Sequence, residues 1–176
     1  MIDVQKGLDD PSWGRRNNPG AESNIVRLLS EWRKREWPVI HVRHCSVRPD
    51  SPLRPASPGN DFKEEARPAP GEKQFSKSVN SAFIGTELEP YLRDQDIESL
   101  VIVGLTTDHC VSTSVRMAAN LGFSVTLISD ATAAFEREGY DGRLYSADDI
   151  HRINLVSLDS EFCTVRTTDE ILKEIV

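Results

Sequence analysis

The chain is poor in cysteine, has no long apolar run and carries no surplus of positive charge, and each lack removes a class of protein. Its three cysteines, Cys45, Cys110 and Cys163, are widely spaced and form no CxxC pair. Neither a disulfide framework nor a zinc knuckle is indicated, and a reducing, cytoplasmic setting is expected. No apolar stretch approaches the roughly 20 residues that cross a bilayer, so no membrane partner is expected. Met1 leads straight into Ile-Asp-Val-Gln, with neither the basic region nor the apolar core of a signal peptide. A net charge of -7 argues against nucleic acid, because phosphate binding needs a basic face. A small-molecule substrate is the expected partner. At 176 residues without an internal repeat, the chain fits one domain over residues 1–176 with room for a core.

What is there alternates. Ile25, Leu28, Leu29 and Trp32 recur at helical spacing and predict an amphipathic helix over 21–36, ended by Trp37-Pro38. Val39 to Val42 reads as a strand, Gln74 to Lys77 as another, and Ser81 to Arg93 as a helix with Leu88 and Leu92 inward. Further on come a strand at Ser124–Ser129, a loop at Asp130–Ala134, a helix at Tyr145–Arg152, a last strand at Asn154–Leu158 and a helix at Asp169–Ile175. Strands alternating with helices predict an α/β fold, a three-layer α/β/α sandwich with a mostly parallel, Rossmann-like sheet. Two segments stand outside this rhythm. Residues 7–20 form a Gly- and Pro-rich loop holding Trp13, and residues 48–71, with six prolines, form a loop long enough to act as a lid, with Phe62 as its aromatic.

The most informative stretch runs from 98 to 122. Leu100 to Val103 reads as a buried strand closed by Gly104, and Val111, Val115, Ala118, Ala119 and Leu121 recur at helical spacing before Gly122. Cys110 therefore sits where a strand becomes a helix. Unpaired N–H groups and the positive end of the macrodipole favour a thiolate there, which predicts a lowered pKa. Most free cysteines are small buried hydrophobes, so position alone leaves both roles open.

Gly-Leu-Thr-Thr-Asp-His-Cys-Val-Ser-Thr-Ser-Val-Arg-Met-Ala resembles the nucleophile segment of the isochorismatase-like cysteine hydrolases, which include nicotinamidases, N-carbamoylsarcosine amidases and isochorismatases. Ile-Asp-Val-Gln at residues 2–5 and Lys-Ser-Val-Asn-Ser-Ala-Phe at 77–83 resemble two further motifs of that family, in the same order. The resemblance implies Asp3 as base, Lys77 as the neighbouring cation and Cys110 as nucleophile. It also implies an oxyanion hole from the N–H groups of Thr106 and Cys110, with a cis peptide between Leu105 and Thr106. Gln5, Trp13, Phe62 and Phe83 are the candidate substrate contacts. His109 directly precedes the nucleophile, and neighbours at a helix start diverge, so it reads as structural rather than as the base.

Metal-dependent nicotinamidases carry an Asp-x-His element after the second strand. Here His41-Val42-Arg43-His44 has no aspartate ahead of it, and residues three apart on a strand face opposite ways. His41 and His44 are read as non-ligands, and neither metal nor other cofactor is expected. The activity implied is hydrolysis of an amide, ureide or carbamoyl C–N bond through a thioester, in a homo-oligomer. The alternatives are ether hydrolysis of the isochorismatase type, whose counterpart of Cys110 is generally not cysteine, and a non-catalytic ligand-binding or oligomerising protein of the same fold.

Overall fold

The computed structural model describes residues 1–175. Its strands are β1 (Ile40–His44), β2 (Lys73–Lys77), β3 (Ser99–Leu105), β4 (Ser124–Ala133), the two-residue β5 (Arg137–Glu138) and β6 (Leu144–Tyr145), and β7 (Thr164–Arg166). Its helices are α1 (Ala21–Lys34), α2 (Leu88–Asp94), α3 (Ser112–Asn120), α4 (Ala147–Leu158) and α5 (Thr168–Glu174). β1 pairs with β2, β3 with β4, and β4 with β7, all in parallel.

Ile2 joins the two halves. It bridges Val42 on one side and Gly104 on the other, again in parallel, so the N-terminal segment is a one-rung central strand. The sheet therefore runs β2, β1, the Ile2 segment, β3, β4, β7. The first segment in the chain is third in space, and the order reverses between it and β3. In open α/β sheets ligands bind at the carboxyl ends of strands beside such a reversal.

Gly104 makes the central rung possible. Its φ is +130°, and a Cβ there would stand 1.9 Å from the Ile2 carbonyl oxygen. Only glycine admits both the dihedral and the approach.

Two apolar layers close the sandwich. On one face Leu88 and Leu92 of α2, Val115 and Ala118 of α3 and Leu158 of α4 pack on Ile102, Val125 and Leu127. On the other, Ile25, Leu28 and Leu29 of α1 and Ile171 of α5 pack on Val4, Val103 and Ile128. Truncating a fully buried leucine such as Leu127 costs about 2–5 kcal/mol in comparable cores. No helix among the described residues is long and apolar enough to cross a membrane.

Four local expectations are corrected. Asn154–Leu158 is the second half of α4, not a strand: Ala147, His151 and Leu158 are its buried positions, and the polar His151 in that stripe hid the helical period. The last strand is Thr164–Arg166. Asp130–Ala134 is mostly strand, because a register shift between the Ile102–Leu127 and Gly104–Thr132 pairs lets β4 run on to Ala133, with Asp130 accepting hydrogen bonds from Thr168. Of Ser81–Arg93 only the part from Leu88 is helical; Gly85 in the left-handed region (φ +70°) turns the chain first. Tyr145 lies in the β5–β6 hairpin, and α4 begins behind the Ser146 cap.

Candidate active site

Three side chains from three strand ends meet at the carboxyl edge. Asp3 follows the Ile2 rung with φ +51°, a left-handed conformation that aspartate tolerates better than most residues. Its N–H donates to the Val42 carbonyl at 2.9 Å. Lys77 ends β2 and donates from Nζ to Asp3 Oδ2 at 2.5 Å, both side chains being essentially excluded from solvent. Cys110 sits in a π turn over Thr107–Val111, whose Val111 N–H donates to the Thr106 carbonyl five residues back. Such turns recur at functional sites because the extra residue re-aims a side chain. Its Sγ, a carboxylate oxygen of Asp3 and a ring nitrogen of His44 all lie within 4.8 Å of one another.

Cys110 is thus two residues ahead of α3, inside the π turn rather than on the helix. The Leu105–Thr106 peptide is cis. The π turn is tied to α4 by a 2.8 Å hydrogen bond between Thr107 Oγ1 and His151 Nδ1.

The electrostatics differ from expectation. Burial, and then the negative charge of Asp3, push the Cys110 thiol up to about 12, against the opposing pull of Lys77. The lowered pKa expected at this turn is therefore corrected: burial and the neighbouring carboxylate outweigh the Lys77 ammonium. Asp3 is likewise raised, because burial outweighs the Lys77 ammonium. Its Oδ1 is buried and has no hydrogen-bond partner among the described residues.

His44 belongs to this group although sequence reading set it aside. Its Nδ1 lies 3.2 Å from Lys77 Nζ, and burial, then the Lys77 charge, lower its pKa. The usable signal was its place at the end of a strand. Strand parity, which separated it from His41, mattered less than that edge. His41 does face elsewhere, its Nε2 set 2.6 Å from Glu72 Oε2. Asp3, His44 and Cys110 offer donor atoms that a divalent cation could use, but the Lys77 ammonium already stands against two of them.

The four candidate substrate contacts fare differently. Gln5 is fully buried, and its amide is spent on the protein: Nε2 donates to the His44 and Asn60 carbonyls at 3.0 and 2.8 Å, and Oε1 accepts from the His44 N–H. Phe83 stacks on Phe123 in the core. It lines an apolar cavity of about 400 Å3 with Met1, Ile40 and Leu100 whose walls include none of Asp3, Lys77 and Cys110. Phe62 meets His41 edge-on and lies under the Arg43 guanidinium. Trp13 donates to the Gly7 carbonyl and stacks on Phe135, capping a cluster that contains Leu105, next to Thr106. His109 is half-exposed, with Nδ1 3.3 Å from Arg137. The 48–71 segment is pinned down rather than free, since Lys63 N–H donates to the Val4 carbonyl and Asn60 Nδ2 to those of His44 and Leu53.

A parallel sandwich with a buried acid and amine beside a half-buried thiol at its order reversal is the frame of a hydrolase of α/β fold, and comparison with known proteins gives the family. The Isochorismatase domain model matches residues 1–170, and the chain belongs to the isochorismatase family of hydrolases. It is 47% identical over 176 residues to the uncharacterized isochorismatase family protein YrdC of Bacillus subtilis, covering all of this chain and 94% of that protein. It superposes on the crystal structure of an isochorismatase-family protein from Chromobacterium violaceum with a TM-score of 0.95 at 48% identity, covering 98% of this chain and 89% of the other. A maleamate amidohydrolase of Pseudomonas putida is 28% identical over 136 residues, 77% of this chain and 58% of that enzyme.

Proposed function

We propose that the protein is a metal-independent cysteine hydrolase that opens a C–N bond of a small amide, ureide or carbamoyl compound through a thioester. The observation that carries this reading is the buried Asp3–Lys77 pair, 2.5 Å long, with the Cys110 sulfur beside the same carboxylate. A non-catalytic binding protein has no need of a desolvated acid and amine with a thiol beside them. The likeness to an amidohydrolase supports the choice of bond.

At rest the thiol holds its proton. Asp3, raised in basicity by burial, takes that proton as Sγ attacks the carbonyl carbon. The N–H groups of Thr106 and Cys110 hold the resulting oxyanion, and Lys77 balances the charge that moves between sulfur and carboxylate. Collapse breaks the C–N bond, the Asp3 acid proton passing to the departing nitrogen. Water, deprotonated by Asp3, then cleaves the thioester and restores acid product and thiol. The ammonium supplies the positive charge that a metal supplies in other hydrolases.

An ammonia-release screen over small amides, ureides and carbamoyl compounds tests this, with Cys110→Ala as control. Turnover that disappears in Cys110→Ala and is unchanged by chelators supports the reading; turnover that survives the substitution refutes it.

A further inference from the structure

We infer that His44 is a positioning residue that aims the Lys77 ammonium at the Cys110 sulfur, and that Gln5 and Asn60 hold His44 for that task. The inference rests on the role proposed above for Asp3, Lys77 and Cys110.

An ammonium has three N–H donors in tetrahedral directions and no acceptor. One of those of Lys77 goes to Asp3 Oδ2 at 2.5 Å and a second faces His44 Nδ1 at 3.2 Å. Fixing two directions fixes the third, which leaves the third N–H for the sulfur or a substrate atom. For Nδ1 to accept, the His44 proton must sit on Nε2, so the ring acts as a neutral acceptor.

The same site leaves room for an alternative arrangement. Asp3 Oδ1 is buried without a hydrogen-bond partner among the described residues. Without His44 the ammonium is free to rotate and clasp both carboxylate oxygens. That would turn its charge away from the sulfur and occupy the base. His44 thus works by supplying a competing acceptor on the opposite side.

The ring is held by its own backbone. Gln5 forms a fork on His44, accepting from its N–H at 2.8 Å and donating to its carbonyl at 3.0 Å. Asn60, from the Pro-rich segment, donates to the same carbonyl at 2.8 Å. This gives the two buried amides a function that substrate contact does not.

The test reads the alkylation rate of Cys110 by iodoacetamide at fixed neutral pH, followed by mass spectrometry of the Cys110 peptide. It needs no known substrate. His44→Phe, or His44→Leu should the larger ring not fold, removes the acceptor; His44→Asn restores one near the Nδ1 position; Lys77→Met removes the ammonium. Lys77→Met and His44→Phe are expected to slow alkylation roughly 10-fold or more, while His44→Asn stays within about threefold of the parent, the His44 variants keeping the parent's melting temperature and Lys77→Met, which unpairs the buried Asp3, being assayed well below its own lower one. A purely structural role for His44 predicts no difference between phenylalanine and asparagine. If Lys77→Met slows alkylation and His44→Phe does not, or if His44→Asn falls as far as His44→Phe, the inference is overturned while the reading of the site stands. If Lys77→Met itself changes nothing, the site reading fails with it.

Discussion

Replacing Asp3 by asparagine should move two measurements in opposite directions. The parent thiol is pushed up to about 12, so at neutral pH only about one molecule in 10⁵ is a thiolate, against a few per cent for a free cysteine. The carboxylate contributes to that elevation. At 4.8 Å, the outer limit of its separation from the sulfur, a unit charge at an effective dielectric constant of about 20 is worth about 3.5 kcal/mol, or about 2.5 pKa units. Asp3→Asn removes this charge while leaving the volume and Lys77 in place. The thiolate population rises by a few hundredfold on that figure, and the lower basicity of the sulfur takes back about half of the gain on a logarithmic scale. Alkylation of Cys110 should therefore accelerate roughly 20-fold. Hydrolysis should fall by about 10²–10⁴, because no group remains to protonate the departing nitrogen or to deprotonate water. Parallel stopped-flow alkylation and ammonia-release assays on one preparation give both numbers. Slower alkylation in Asp3→Asn, or undiminished turnover, would refute the assignment of Asp3 as a charged base beside the sulfur.

Other outcomes follow from the same coordinates. Gly104→Ala, whose Cβ would meet the Ile2 carbonyl at 1.9 Å, should lower stability by several kcal/mol in urea denaturation; a cost below about 1 kcal/mol would show that the central rung can shift. Turnover should fall on the acid side as Asp3 takes up a proton, and because burial raises its pKa the fall should begin above the ordinary carboxylate range. A pH–rate profile flat down to that range would contradict a raised Asp3. Tyr140, Leu144, Ile153 and Val156 each expose a large apolar side chain, and light scattering should report at least a dimer, a pure monomer being the contrary result.

The architecture was legible where residues obey a single period. Ile25, Leu28 and Leu29 marked α1, and Leu100 to Gly104 marked β3, because burial on one face leaves a plain apolar pattern. Legibility failed where a polar residue occupies a buried position for a local reason. His151 interrupts the apolar stripe of α4 because it bonds to Thr107. Thr132 and Asp130 look like loop residues but lie on β4, where their side chains bond to nearby backbone and to Thr168. In the site, spacing and order pointed to Asp3, Lys77 and Cys110, which three separate strands bring together. His44 was missed because its role depends on a lysine 33 residues away, a pairing that only the β1–β2 register creates. Gln5 illustrates the converse: a polar residue within a recognisable motif, with every donor and acceptor used to hold the backbone. The elevation of the Cys110 pKa was also beyond sequence, since burial of a sulfur is a property of the packed site.

The bond from His151 to Thr107 makes α4 a lever as well as a wall. Its outer face carries Ile153 and Val156, more than 60% exposed, while two residues before Ile153 the inner face grips the turn that holds Cys110. A body seated against those two apolar side chains would bear on the nucleophile through one helix and one hydrogen bond. The same twelve-residue helix thus carries an exposed apolar face and the hydrogen bond that anchors the turn of Cys110.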